Sequence, residues 1–289
     1  MKMARESAVA LATIGLLAAS IFFLHTTSRE ETPPPEPEQY HANDQVLLGS
    51  NKHSVADLIS KHAIDAKLMT AHGSRGFSII RSSPLRPTGD ALEFVRSLLQ
   101  ESSSGNALAT YEIFLATLDC KRLYVGGVDH VDAASDVVAK LSECESLLAN
   151  PAIADADWLT KAAEQGSIEA MVMYSINPSY TLPGGPREYL SNPDAVQKWR
   201  ESARHFLERA ASSGSQDALL SLASAYKAGV IVEHDPVKQL AYALAAQKSS
   251  PIPGYQEAYQ ELRSSLTPLE IKRSEVLANV IYDKCCKEN

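Results

Sequence analysis

The sequence predicts an all-α fold: an α-solenoid of antiparallel helix pairs behind an N-terminal transmembrane or signal segment. Three observations carry this. Between Ala203 and Ala246, small and aromatic residues recur at helical spacing in three stripes: Phe206, Leu207, Ala210 and Ala211; Ala218, Leu219, Leu222, Ala223 and Tyr226; Ala241, Tyr242, Ala245 and Ala246. Part of that stretch occurs twice, since Trp158-Leu159, Ala162-Ala163, Gly166 and Ala170-Met171 lie over Phe206-Leu207, Ala210-Ala211, Gly214 and Ala218-Leu219. Alanine and leucine are abundant, and β-branched alternation is scarce. Helices that meet through alanines approach closely but bury little surface in isolation, so each pair needs neighbours of its own kind.

The leader comes first. Residues 1–6 carry Lys2 and Arg5 and are expected to stay in the cytoplasm, ahead of the uncharged run Ser7–Leu24. Ala18-Ala19-Ser20 offers the small residues of a signal-peptide cleavage site, but cleavage there would leave Ile21-Phe22-Phe23-Leu24 as a bulky apolar N-terminus. The stretch 7–24 therefore reads as a transmembrane anchor in preference to a signal peptide, because 18 residues just cross about 30 Å of hydrocarbon as a helix. Both readings give a body in the periplasm or another extracytoplasmic space. Residues 25–50 form a Pro/Glu-rich linker. Thr32-Pro-Pro-Pro-Glu-Pro37 favours polyproline II, which makes a semi-rigid spacer, or less readily a ligand for a partner domain.

Residues 51–150 read as an N-terminal helical region with a degenerate repeat. Ser54 caps a segment with Val55, Leu58, Ile59, Ala63 and Ile64 near one face, broken by Gly73-Ser-Arg-Gly76. Pro84 and Pro87 keep the next stretch irregular. Ala91, Phe94, Val95, Leu98 and Leu99 then form a stripe, and a turn at 102–105 leads to a helix beginning at Ala107. A further helix is expected over Val131–Leu148. Residues 151–248 hold the repeats. Gly214 stops one helix, Ser215 caps the next, Gly229 ends it, and Asp235-Pro236 opens a third. An insertion is expected near 177–197, where Asn177-Pro178 and Thr181–Pro186 interrupt the first copy. Residues 249–289 supply C-terminal capping helices, the last opened by Thr267-Pro268-Leu269-Glu270.

On Leu207, Ala210, Ala211, Gly214, Ala218, Leu222, Ala223, Tyr226, Gly229, Asp235, Ala241 and Tyr242, the chain resembles the Sel-one-like repeat family, relatives of tetratricopeptide repeats. The likeness covers about a third of the chain. It implies a curved solenoid whose first helices line a concave side and whose work is protein–protein interaction.

Four cysteines in an exported chain allow three complete pairings. Spacing alone leaves Cys120–Cys144 open; the resemblance to Sel-one-like proteins with a membrane leader favours it. Cys285 and Cys286 read as incidental thiols in a disordered tail, because neighbours on a helix point about 100° apart. An intermolecular bridge or a soft metal site is the alternative.

The chemistry-bearing motifs are missing from the sequence. A formal charge of −8 with no basic block excludes a nucleic-acid reader. His53, His62 and His72 lack metal spacing. There is no His-Glu-x-x-His, no Gly-x-Ser-x-Gly and no phosphate-cradling loop. Asp129-His130 and His234-Asp235 sit beside turns, and Gly184-Gly185 marks a loop. The expectation is no enzyme, no cofactor and no metal. Trp199, Arg200, Arg204 and Glu208 form a candidate protein-binding groove, with the last three at i, i+4 and i+8. The plainer reading of that face is a solvated ion-pair row, worth only about 0.3–0.5 kcal/mol per pair. The expected role is a membrane-tethered adaptor or scaffold. A cell-wall or glycan-binding module, using Tyr180, Tyr189 and Trp199, is the rival, and an enzyme with a dispersed site is a weaker one.

Overall fold

The computed structural model describes residue 48 and residues 53–80, 85–125, 134–182 and 189–287, all within one compact unit, Val46–Asn289. The expected cytoplasmic stretch, the 7–24 segment and nearly all of the 25–50 linker lie outside the described residues, as do Asp129, His130, Gly184 and Gly185. Among the described residues no helix is long and apolar enough to cross a membrane.

A short helix α1 (Val55–Ser60) leads to a hairpin of β1 (Met69–His72) and β2 (Gly76–Ile79). Then come α2 (Ala91–Ser103), α3 (Ala107–Val125), α4 (Ala134–Leu148) and the single turn α5 (Pro151–Ala154). The repeats follow as α6 (Trp158–Gln165), α7 (Ile168–Ile176), α8 (Pro193–Ser212), α9 (Gln216–Ala228) and α10 (Pro236–Ser249). The last two helices are α11 (Tyr255–Ser265) and α12 (Pro268–Cys285). From α6 to α10 each helix packs on the next, and α12 passes over α11 to lie along α10.

The helix starts follow from side chains that supply an acceptor to an orphan N–H. Asp90 accepts from Glu93 N–H at 2.8 Å, Ser215 from Ala218 N–H at 3.2 Å and Asp235 from Lys238 N–H at 2.9 Å. Thr267 and Glu270 form a reciprocal capping box. The main core gathers Ile64, Phe77, Leu159, Met171, Leu207, Leu219 and Leu222. A second, smaller core holds Ala91, Val95, Ile113 and Leu147 around a Cys120–Cys144 disulfide whose Cα atoms are 5.4 Å apart, joining α3 to α4.

Three expectations are corrected. The described residues are predominantly helical, with repeated antiparallel helix pairs as in a solenoid, but they include a hairpin, so the fold is not all-α. Gly73-Ser-Arg-Gly76 turns β1 back onto β2, in register from Met69↔Ile79 to His72↔Gly76. Two four-residue strands are too short to display an alternating pattern, and their support comes from far away. Phe77 N–H donates to Gly214 O at 3.0 Å, and Ile79 N–H donates to the Asp217 carboxylate at 2.8 Å. Second, the helix begun by Ser54 ends at Ser60. His62 takes a positive φ of 53°, and Ala63 and Ile64 are buried beyond the helix.

Third, Cys285 and Cys286 are neither a loose tail nor incidental thiols. They form a disulfide and are 1% and 4% exposed. The helical objection does not apply because α12 ends between them: Cys286 sits at φ −127°, ψ −19°. The carbonyls bracketing the pair are held by one side chain. Arg75 Nη2–H donates to Lys284 O at 2.8 Å and Nη1–H donates to Lys287 O at 3.0 Å. The β-turn carrying Arg75 presses against Gly214, where an added Cβ would lie 1.9 Å from Arg75 O.

Candidate functional site

The second repeat builds a cleft from elements the sequence places predictably and one loop that it does not. Helix α8 is long because Asn192 caps it, Pro193 opens it and its apolar stripe runs unbroken to Ala211. Helix α9 ends at Gly229, whose φ of +69° turns the chain so that 229–235 folds back along α9. The return is fixed by Asp235 N–H donating to Tyr226 O at 3.1 Å and by His234 Nδ1 lying 3.1 Å from Lys227 O. Helix α7 stops early, at Ile176, where Asn177-Pro178 forces a 3-10 turn.

Two compartments result, and they share Ile231. One is apolar, about 470 Å³, walled by Ile176 and Pro178 on one side and Leu220, Ala225 and Val230 on the other, with Trp199 in its lining. Ile176 and Val230 stand 63% and 56% exposed at its mouth. The other compartment, about 360 Å³, is charged and is lined by Arg200, Arg204, Tyr226, Glu233, Asp235 and Lys238 among others.

The structure thus brings three of the four candidate groove residues to this cleft, though not in one role. Trp199 is 3% exposed. It belongs to the core and donates its Nε1–H to Tyr174 O at 3.2 Å. Arg200 and Arg204 line the charged compartment one turn apart. Glu208 lies behind them, paired to Arg204 Nη1 at 3.5 Å, and it does not line the compartment. Burial pushes the Glu208 carboxyl above its ordinary range, and the Arg204 guanidinium only partly offsets this. Lys238 pairs with Asp235 at 3.4 Å and sits 5.7 Å from the Tyr226 ring, which itself stacks on Tyr242. Burial also raises the Tyr242 hydroxyl far above its usual range.

Arg200 differs from the other two cations. Its Nε is buried without a hydrogen-bond partner, and among the described residues it has no ion-pair partner. Leaving a buried donor unmade costs about 1–3 kcal/mol, and Arg200 carries that cost here. Ile176, Tyr226, Val230, Ile231 and Lys238 were not legible as site residues. The interrupted Asn177-Pro178 end of α7 and the Gly229 turn were the available signals.

Arg86 is the opposite case. Buried between α3 and α4, it pairs with Asp119 at 3.0 Å and Glu143 at 2.9 Å and donates to Pro87 O and Gly89 O, which is a structural network. Among the described residues, no group of three metal-ligating side chains converges. The exposed row of aromatics that the rival glycan-binding reading requires is not formed by Trp199, which is buried, or by Tyr180, which packs edge-on to Phe114.

No family model matches the chain, and no curated protein matches it in sequence. Among solved structures it is similar in part to a protective antigen present in uropathogenic Escherichia coli strains, displaying an SLR fold. The identity is 16% and the TM-score 0.36, over 68% of this chain and 42% of that one. This chain therefore spans less than half of that protein's length.

Proposed function

We propose that this protein is an interaction scaffold that docks another protein in the cleft between α7, α8 and α9, and that residues 7–24 tether it to a membrane with its body in the periplasm or another extracytoplasmic space. The observation that carries the docking role is the pairing of an apolar compartment with a charged one along a single helix, α8, with large apolar side chains left at the mouth. Grooves of this make-up, an apolar centre beside polar groups, are where proteins recognise segments of other proteins. The packing of successive helices from α6 to α10 gives that groove a rigid frame. The Sel-one-like resemblance accords with this reading. So does cysteine usage. All four cysteines of the protein are paired in disulfides, which persist in oxidising compartments. No catalytic step is assigned.

Photo-crosslinking in intact cells tests the docking role. A photoreactive amino acid at Arg204 is expected to capture one dominant protein that a probe at Lys272, exposed on α12, does not. Equal capture at both positions would remove the cleft as a docking surface. Membrane fractionation of the full-length protein against one lacking residues 1–24 tests the tether, with loss from the membrane pellet as the expected result.

A further inference from the structure

The charges in the cleft can be counted against one another. Arg204 is committed to Glu208 and Lys238 to Asp235, while Arg200 has no ion-pair partner among the described residues and an unbonded, buried Nε. Three cations face three carboxylates, Glu208, Glu233 and Asp235, so no net charge is left over. The unpaired members are Glu233, which is exposed, and Arg200, a partly buried guanidinium whose planar fork matches a carboxylate with two parallel N–H donors. Glu233 and Asp235 line the same compartment. A compartment without net positive charge gives a dianion such as a phosphate no excess attraction, whereas a single carboxylate needs only the one unpaired guanidinium. The net charge of −8 further disfavours polyanions.

The apolar compartment sets a second requirement. Trp199 lines it and Arg200, the next residue of α8, lines the charged one, while Ile231 borders both. Consecutive Cα atoms are about 3.8 Å apart, so an occupant must carry its charge and its apolar group within one or two residues of each other. Resting on the docking role above, we infer that the cleft takes a peptide segment with one carboxylate next to a bulky apolar side chain. The carboxylate sits on Arg200, and the apolar group sits between Ile176 and Val230. The carboxylate is supplied by an Asp or Glu side group or by the C-terminus of the bound peptide.

The test selects binders from random heptapeptide libraries against the full-length protein in detergent, in two arms: peptides with amidated C-termini and peptides with free ones. The expected result is enrichment of Asp or Glu beside Leu, Ile, Phe, Met or Trp in the amidated arm, or of a terminal apolar residue in the free arm. These outcomes identify the two carboxylate sources. Replacing the peptide carboxylate by its amide, or Arg200→Gln in the protein, is expected to weaken binding about tenfold to a hundredfold. The two changes together should cost little more than either one. Arg200→Lys, which keeps the charge and loses the fork, recovers part of the affinity and so separates a lost contact from a damaged fold. Peptides whose binding is abolished by Val230→Asp but untouched by Arg200→Gln would overturn the carboxylate assignment and leave the docking role standing. An absence of binders, or binders insensitive to both changes, would overturn the two together.

Discussion

The two copies of the repeat agree where their helices turn and disagree where they end. In both, the first helix stops on a glycine with positive φ, Gly166 at +114° and Gly214 at +96°. In both, a buried serine then caps the second helix, Ser167 accepting from Ala170 N–H and Ser215 from Ala218 N–H, each at 3.2 Å. The flanking lengths differ. The first helix has 8 residues in copy one and 20 in copy two, and the second has 9 and 13. The shorter α7 leaves Ile176 and Pro178 as a ledge beside the longer α9, and the apolar compartment lies at that mismatch. Regularity provides the frame, and the interruption of regularity provides the site.

The widest gap between the copies should appear at their glycines. Gly214→Ala drives a methyl into the Arg75 backbone and is expected to cost about 4 kcal/mol, whereas Gly166→Ala meets nothing within 4 Å and carries only the backbone strain, about 1 kcal/mol. Urea denaturation of the two variants measures this, and equal losses would mean that the hairpin does not bear on copy two. Next in size is the disulfide outside both copies. Cys120→Ala with Cys144→Ala opens a bridge spanning 24 residues and should cost about 3 kcal/mol. Hydrogen exchange should locate that loss in α2–α4 and leave α8 and α9 protected. The cap serines should behave alike, Ser167→Ala and Ser215→Ala each losing about 1 kcal/mol, and a twofold disparity would break the equivalence of the turns.

The smallest effect depends on pH. Burial raises the Asp217 carboxyl above its ordinary value, with the Ile79 N–H bond opposing. A carboxyl with a raised folded pKa binds its proton more tightly in the folded state. Its contribution is therefore full below the unfolded carboxylate pKa and is lost as pH rises through the raised one. Asp217→Asn should flatten that decline, read as the urea midpoint followed from acid to neutral pH.

What could be read from the sequence was what is decided within a helical turn. Ser54, Ser215, Asp235 and Thr267 cap helices where their side chains predict, and Gly214 and Gly229 end them. Features that depend on distant partners were not visible. The hairpin's supporting bond from Ile79 to Asp217 spans 138 residues. Within the candidate site, Arg200, Arg204 and Glu208 do share a face, but Trp199 lies about 100° round the helix from Arg200. The signal that places it inward was present: Trp199, Ala203, Phe206 and Ala210, at i, i+4, i+7 and i+11, extend the apolar stripe back by two turns, and all four are buried. The loop 229–235 gives no such periodic cue, because its path is set by Asp235 returning to Tyr226.

Arg75 reaches 209 and 212 residues along the sequence to hold the carbonyls of Lys284 and Lys287. Stacked repeats ordinarily tolerate the loss or gain of a unit, because each touches only its neighbours. Here a clasp joins the front of the array to its last helix, and a clasp has a fixed span. The turn that carries Arg75 is seated on Gly214, so excising α10 and α11, which lie between Gly214 and the last helix, would carry those two carbonyls away from the guanidinium that grips them. The buried arginine thus works as a ruler for the helices that follow Gly214.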